Sequence, residues 1–188
     1  IGDAQKSSGT DNMKHQTKEI WHEARWVKSK QQGRPNGIPG GTIMGIDPKL
    51  SRKIVKTYEL ESDFGWFTGV MLQGKKRDNC KNDLAVITVY CPLLNKKNGA
   101  WNRIHQMLKA SGCKLNPTEK FFQEITDVVK KLHDDGAKVI VGGDFNIEYD
   151  KAHAYTARLT KFLQDGGLEH TLSIKHPTTA FTTYINSE

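Results

Sequence analysis

The sequence predicts an α/β fold, a two-sheet α/β sandwich in which mixed sheets are flanked by helices. Between residues 41 and 90, four short segments are rich in β-branched and aromatic residues, as strands are. Two segments with a helical spacing of apolar residues follow, and the apolar run KVIVGG comes after them. Short turns between strands favour antiparallel pairing, whereas a strand, a helix and a strand in that order favour a parallel pair.

The first predicted element is an amphipathic helix over residues 14–29, KHQTKEIWHEARWVKS. Its apolar residues recur at intervals that suit one face of a helix. These residues are Ile20, Trp21, Trp26 and Val27. The segment QQGRPNGIPGG that follows is rich in Gly and Pro, and it is predicted to be a loop.

Four strands are predicted next, in the segments GTIMGI, KIVKTYEL, GWFTGVMLQG and DLAVITVY. Gly, Asp and Asn residues separate these segments from one another, as they do at strand ends. The polar stretch GKKRDNCKND joins the third and fourth strands, and it is predicted to be a hairpin loop. The order therefore predicts neighbouring antiparallel hairpins.

The longer of two predicted helices carries clear signals at both ends. Asn116 suits the N-cap, Pro117 suits the first turn, and Glu119 stands three residues after the cap, where it can complete a capping box. Gly136 suits the residue that ends a helix. The apolar residues between these signals keep to one face, so this helix is predicted to cover a sheet.

The second half of the chain is predicted to contain a β-α-β unit. It consists of a strand at 84–90, the helix at 118–134 and a strand at 138–142, with the shorter helix NGAWNRIHQMLKA inside the crossover. A helix over 152–165 and a strand at TAFTTYI complete the pattern. Because 188 residues is the size of one domain, we expect residues 1–188 to form a single domain.

Charge and composition indicate the class of partner. The chain has 28 Lys and Arg against 21 Asp and Glu, and this net charge of +7 favours a polyanion. The basic groups RWVKSK, SRKIVK, GKKR and NKK make nucleic acid a better prediction than a lipid or a neutral substrate. No apolar run approaches the roughly 20 residues that span a bilayer, and no signal peptide is recognisable, so we expect an intracellular protein. The three cysteines lack CxxC spacing and are predicted to be reduced thiols.

Two polar side chains follow the strand KVIVGG at its carboxyl end, where ligands bind in α/β sheets. They are Asp144 and Asn146, and the preceding Gly142 and Gly143 allow a backbone or a substrate to approach closely. Carboxylate and amide oxygens suit a hard cation such as Mg²⁺, and the Asn can also orient a water or hold a phosphate oxygen. Alternatively, GGDFN is only a turn, which Asn and Asp also favour. Spacing alone leaves both interpretations open.

The segment Gly-Asp-Phe-Asn at 143–146, together with Tyr90 and Pro92 in VITVYCP, resembles the endonuclease/exonuclease/phosphatase superfamily. Within that superfamily, the chain is most similar to the apurinic-type endonuclease domain of non-LTR retrotransposon (reverse transcriptase) polyproteins. The segments that carry this likeness, in order, are PGGTIM, the hairpin GWFTGVMLQG to LAVITVYCP, the long helix, GDFN and HPTTAFTTYINSE. The resemblance covers most of residues 35–188 and implies the fold of the superfamily.

The resemblance implies a divalent-metal-dependent DNA endonuclease that hydrolyses a phosphodiester with Mg²⁺ or Mn²⁺. Asp144 would position or deprotonate the attacking water, and Asn146 would bind the scissile phosphate or orient Asp144. Both residues would also serve as metal ligands. Tyr90 would donate a hydrogen bond to the phosphate or stabilise the leaving oxygen. The implied partner is DNA rather than a membrane, and the implied location is the nucleus.

The chain departs from the family pattern at both ends. The family's first strand supplies an Asn and its second a metal-binding Glu, for which only Asp3 or Asp11 could stand in. The Ser-x-x-Asp-His-type segment that closes the family domain has no counterpart after TTYINSE. We therefore expect an incomplete piece of a larger polypeptide, which lacks the first strand and the C-terminal His segment and is nearly inactive as an enzyme on its own. Two alternatives remain open, a catalytically degenerate nucleic-acid-binding remnant and a phosphatase-like relative acting on a phospholipid or inositol phosphate.

Overall fold

The computed structural model describes residues 25–28, 41–58, 64–74, 83–93, 99–147 and 154–171. The strands are β1 (Arg25–Lys28), β2 (Ile43–Ile46), β3 (Ile54–Tyr58), β4 (Phe67–Leu72), β5 (Leu84–Tyr90) and β6 (Lys138–Asp144). The helices are α1 (Pro48–Ser51), α2 (Ala100–Ala110), α3 (Pro117–Asp134) and α4 (Ala154–Asp165). Two compact units are present, residues 1–146 and residues 147–188, and α4 belongs to the second. That 1–188 is a single domain stays a prediction, because a compact unit need not fold alone.

The strands of the first unit form two sheets. The larger sheet has the order β3-β4-β5-β6, in which β5 and β6 are parallel and the other neighbours are antiparallel. The smaller sheet is the antiparallel pair of β1 and β2. The prediction of an α/β fold with mixed strand direction and helices is therefore confirmed. The parallel pair follows from the crossover through α2 and α3, which returns the chain to the same end of the sheet.

The sequence-based prediction of a helix over 14–29 is wrong at its carboxyl end, because Arg25–Lys28 is the strand β1. In that strand Trp26 pairs with Gly45, and the buried Val27 packs between the sheets. Apolar residues spaced three or four apart suit a helix. A short run of such residues can also form a strand, however, when one face of that strand packs against the core. The remainder of that predicted helix, and the QQGRPNGIPGG loop up to residue 40, lie outside the described residues.

An apolar cluster joins the two sheets. Val27 and Ile46 of the small sheet pack with Val70 of β4, and all three are buried. Partly buried neighbours complete this cluster; they are Met44, Ile54, Leu72 and Val86. Since side chains alternate along a strand, Val86 places the even-numbered residues of β5 on the face toward the small sheet. The odd-numbered residues, which are Ala85, Ile87 and Val89, are buried on the opposite face.

Helix α3 begins and ends as the sequence predicts. The Asn116 side chain accepts a hydrogen bond from the Glu119 amide at 3.0 Å, and the Glu119 carboxylate accepts one from the Asn116 amide at 3.0 Å. Gly136 has a φ of +80°, the left-handed conformation that commonly follows a helix. The apolar face of α3 is buried; its fully buried apolar residues are Phe121, Ile125, Val129 and Leu132.

Helix α2 is joined to α3 by a buried hydrogen bond, in which the Trp101 indole donates to the Thr118 hydroxyl at 3.0 Å. In the second unit, α4 covers Ala154–Asp165 against a predicted start at 152, and its Leu159 and Phe162 are buried. The hairpin loop between β4 and β5 and the predicted TAFTTYI strand lie outside the described residues. No helix in the described ranges is both long and apolar enough to cross a membrane.

Candidate functional site

Tyr90 and Asp144 lie side by side at one edge of the large sheet. They are register partners in the parallel pair of β5 and β6, and each is the last residue of its strand. Register partners in parallel strands project to the same face, and the even-numbered residues of β5 face the small sheet. The register thus places Tyr90 and Asp144 at the same end of the sheet, while the chemical roles predicted for them and for Asn146 stay predictions.

The two glycines before Asp144 serve different purposes. Gly143 has a φ of +145°, and a Cβ there would overlap the Val89 carbonyl oxygen and lie 2.8 Å from the Val89 amide nitrogen. Only glycine therefore allows β5 and β6 to pair at that position. A Cβ at the exposed Gly142 would meet nothing within 4 Å. Gly142 therefore leaves open space directly beside the candidate site.

Hydrogen bonds to the local backbone hold Asp144 in place. Its carbonyl oxygen accepts a hydrogen bond from the Cys91 amide at 2.8 Å, which extends the strand pairing by one residue. One oxygen of its half-buried carboxylate, Oδ1, accepts from the Asn146 amide at 2.9 Å. This turn, in which an Asp side chain binds the backbone two residues on, fixes the carboxylate without using its second oxygen. A carboxylate has about four acceptor positions, so capacity remains for a ligand.

Asn146 ties the end of β6 to the chain beyond β5. Its side-chain nitrogen Nδ2 donates to the Cys91 carbonyl oxygen at 2.6 Å, a hydrogen bond between residues 55 apart in sequence. Its backbone has a φ of +52°, a left-handed conformation that asparagine adopts more readily than most residues. The amide group also has a second N–H and an acceptor oxygen. The arrangement therefore fixes the amide plane at the same edge as Tyr90 and Asp144.

Aromatic packing anchors the loop between these two polar residues. The Phe145 ring lies 6.2 Å from the Phe121 ring and 6.4 Å from the Phe122 ring, measured between centroids. Both partners belong to the buried face of α3. Phe145 and Cys91 were not predicted as part of the site. The sequence signal for Phe145 is that it is the one apolar residue inside Gly-Asp-Phe-Asn. Cys91 has no such signal, because it contributes its backbone amide and carbonyl group, and every residue type except proline has both.

Tyr90 is half-buried, and its backbone is held from the side of β4. Its amide donates to the Trp66 carbonyl oxygen at 2.8 Å, just before β4 begins. Trp66 is itself fixed, because its buried ring stacks with Phe64 and meets Phe121 edge to face. The position of the Tyr90 backbone is therefore fixed by hydrogen bonding to a residue that is itself packed in the core.

The donor atoms at this edge fit a hard divalent cation in part. Asp144 supplies carboxylate oxygens and Asn146 an amide oxygen, and Mg²⁺ is commonly held by one or two carboxylates together with substrate phosphate oxygens and waters. Within the described ranges, no group of three or more His, Cys, Asp or Glu residues could hold a metal ion. Asp3 and Asp11, the predicted substitutes for the family's Glu, lie outside those ranges. In the described ranges neither Cys91 nor Cys113 is part of a disulfide, and the third cysteine, Cys80, lies outside these ranges.

Searches against protein-family models, curated proteins and solved structures found no match to this chain.

Proposed function

We propose that this chain is a divalent-metal-dependent phosphodiester hydrolase that nicks DNA, as the endonuclease domain of a retrotransposon-like protein would. We further propose that its two sheets belong to the sandwich of the endonuclease/exonuclease/phosphatase superfamily. The observation that carries the proposal is the register of Tyr90 with Asp144, combined with the hydrogen bond from Asn146 to Cys91. Together they bring an acid, an amide and a phenol from two sequence motifs to one sheet edge.

Each side chain has a role that its position supports. The fixed carboxylate of Asp144 would align a water and accept its proton as the water oxygen bonds to phosphorus. Asn146, with its amide plane held by Cys91, would bind a phosphate oxygen and keep Asp144 in place through its backbone amide. Tyr90 would donate a hydrogen bond to an equatorial phosphoryl oxygen, where negative charge develops. The bond between phosphorus and the 3′ oxygen breaks, and the departing oxygen takes a proton from solvent.

Asp144 and Asn146 would hold Mg²⁺ or Mn²⁺ through their side-chain oxygens, and the bound cation would polarise the phosphoryl oxygen and offset charge on the leaving oxygen. The net charge of +7 favours DNA over a neutral substrate. Open space beside Gly142 gives the backbone of a polymer room to approach the edge.

Nicking of supercoiled plasmid tests this function. Within its full-length polypeptide, the domain should convert plasmid to the open circle with Mg²⁺ or Mn²⁺ and should be inactive in EDTA. Asp144→Ala should lower the nicking rate by about 1,000-fold or more, because it removes the group that activates the water, with little effect on stability. Asp127→Ala is the matched control, since Asp127 is an exposed carboxylate on α3, away from this edge. Nicking that survives Asp144→Ala, or that needs no metal, would contradict the proposal.

A second candidate, a remnant of the fold that binds nucleic acid without catalysis, is favoured by one observation. Among the described residues, Asp144 is the only carboxylate at this edge of β5 and β6. The nicking assay, together with a measurement of duplex binding, separates the two candidates. A remnant would bind duplex DNA with strong salt dependence, yet neither metal would produce nicks, and Asp144→Ala would leave binding unchanged.

A further inference from the structure

Four exposed cations lie close together where the chain enters β3. We call them the basic strip; they are Lys49, Arg52, Lys53 and Lys56. Within the described residues 41–58 the only acid is Asp47, whose carboxylate accepts a hydrogen bond from the Lys49 amide at 2.7 Å. The strip is therefore a concentration of positive charge on the surface of the first unit.

The basic strip lies at the opposite end of the large sheet from Asp144. The carbonyl oxygen of Lys53 accepts a hydrogen bond from the Gln73 amide at 2.7 Å, immediately after β4 ends. Ile54 pairs with Leu72, which pairs with Leu84, the first residue of β5. The whole length of β5, seven residues or about 20 Å, therefore separates the strip from Tyr90. One phosphodiester at the candidate site cannot also contact the strip.

Protection of a sheet edge explains only part of this charge. In the described sheet β3 is an outer strand, and a bulge between Ile54 and Lys56 together with the Lys56 side chain discourages pairing with another strand. Lys49, Arg52 and Lys53, however, lie in α1 and the turn after it, where there is no strand edge to protect. Edge protection therefore does not account for these three cations.

We propose that the basic strip binds the phosphate backbone of duplex DNA, on a segment separate from the one at Asp144. Charge complementarity is the first reason, because clustered Lys and Arg neutralise phosphates and release counterions. The second reason is the chemistry of the neighbours, since the exposed apolar residues among the described side chains of this segment, Leu50 and Val55, are aliphatic. Single-stranded nucleic acid is usually held by aromatic stacking, whereas a duplex offers its phosphates outward. The statement that DNA occupies both the candidate site at Asp144 and the strip rests on the proposed function. Binding of a duplex at the strip alone does not rest on it.

A binding titration with a matched control tests this proposal. A short labelled DNA duplex is titrated in EDTA, so that no cleavage occurs, at several salt concentrations. The strip variant carries Gln at positions 49, 52, 53 and 56. The control variant carries Gln in place of Arg103, Lys109, Lys114 and Lys130, which are also one arginine and three lysines, all exposed and all in or between the helices α2 and α3. Both variants thus lose the same charge.

We expect the strip variant to bind about tenfold or more weakly, with the salt slope reduced by about two to three, because each lost phosphate contact removes roughly 0.9. The control should change affinity by less than about threefold, the size of a long-range charge effect. Thermal unfolding should show both variants folded; if the strip variant is not, the pair Arg52→Gln and Lys53→Gln is used, with Lys109→Gln and Arg103→Gln as its control.

Two results would overturn the proposal. Equal losses in the strip and control variants would mean that only net charge matters. If a polyglutamate peptide or single-stranded RNA binds the wild-type strip more tightly than the duplex does, the occupant is a different polyanion. Because this titration involves no metal and no cleavage, its failure leaves the nicking test of Asp144 untouched, and the reverse is also true.

Discussion

The two ends of the large sheet hold polar groups in different ways. At the carboxyl end of β5 and β6, Asp144 and Asn146 are half-buried and bound to the backbone at 2.9 and 2.6 Å. At the other end, the cations of the basic strip are exposed side chains on long flexible stems. Chemistry requires groups held to a fraction of an ångström, whereas attraction to phosphates requires only charge nearby. Changes at the carboxyl end should therefore alter the reaction rate, and changes at the strip should alter affinity.

Of the substitutions that test this difference between the two ends of the sheet, Gly143→Ala should have the largest effect, on both stability and nicking rate. A Cβ there would overlap the Val89 carbonyl oxygen, and the φ of +145° is strained for any residue with a side chain. Relief requires β5 and β6 to separate, so we expect the free energy of unfolding to fall by at least about 3 kcal/mol. Nicking should decline with it, because Tyr90 and Asp144 lose their register. Denaturant unfolding followed by circular dichroism measures the change.

Gly142→Ala is the matched control for that variant. Its new methyl group meets nothing within 4 Å, so the free energy of unfolding should stay within about 1 kcal/mol of the wild type. If the two substitutions prove equally mild, the close approach of Gly143 to β5 is not what fixes the site.

Asn146→Gly should leave the fold almost intact while slowing the reaction. Glycine adopts the φ of +52° without strain, so this substitution removes the amide and retains the backbone conformation. We expect nicking to fall by about 100-fold, because the phosphate loses an oriented partner, while duplex affinity in EDTA changes by less than about threefold. Single-turnover nicking and anisotropy measure the two quantities. A large loss of duplex affinity with an unchanged nicking rate would show that Asn146 only binds DNA. The two ends of the sheet would then not differ in the way proposed here.

Tyr90→Phe should lower the nicking rate less than Gly143→Ala and Asn146→Gly do. It removes one hydroxyl and keeps the ring, so the strand end should remain packed. We expect a loss of about tenfold in nicking, since a water can partly replace a single hydrogen-bond donor. The same single-turnover assay applies, with the free energy of unfolding as the control. An unchanged nicking rate would show that Tyr90 is an ordinary residue at a strand end.

Most of the large sheet was predictable because its signals are local. The strands β3, β4 and β5 combine β-branched composition with turn residues, and α3 carries its complete capping box in four residues. The strand β1 was missed for the opposite reason. Its identity depends on pairing with Ile43–Ile46 in the small sheet and on burial of Val27 against the large sheet, which are contacts that no local pattern contains.

The positions of the candidate site were partly predictable. Tyr90 and Asp144 end two strands joined by a long crossover, and topology alone brings such ends to one edge. The hydrogen bond from Asn146 to Cys91 was not predictable, because it depends on the left-handed backbone of Asn146. The anchoring of Phe145 against α3 likewise depends on how the helix lies over the sheet.

The separation in sequence between the two strand ends has a kinetic consequence. The antiparallel strands β3, β4 and β5 pair through short connections, but the bond between Asn146 and Cys91 closes a loop of 55 residues. Closing a long loop costs entropy before its contacts can repay that cost, so contacts distant in sequence form late. We therefore expect the hairpins to fold first and the edge bearing Tyr90 and Asp144 to form only when β6 docks. A chain emerging from the ribosome would hold most of its sheet before it had any candidate site at all.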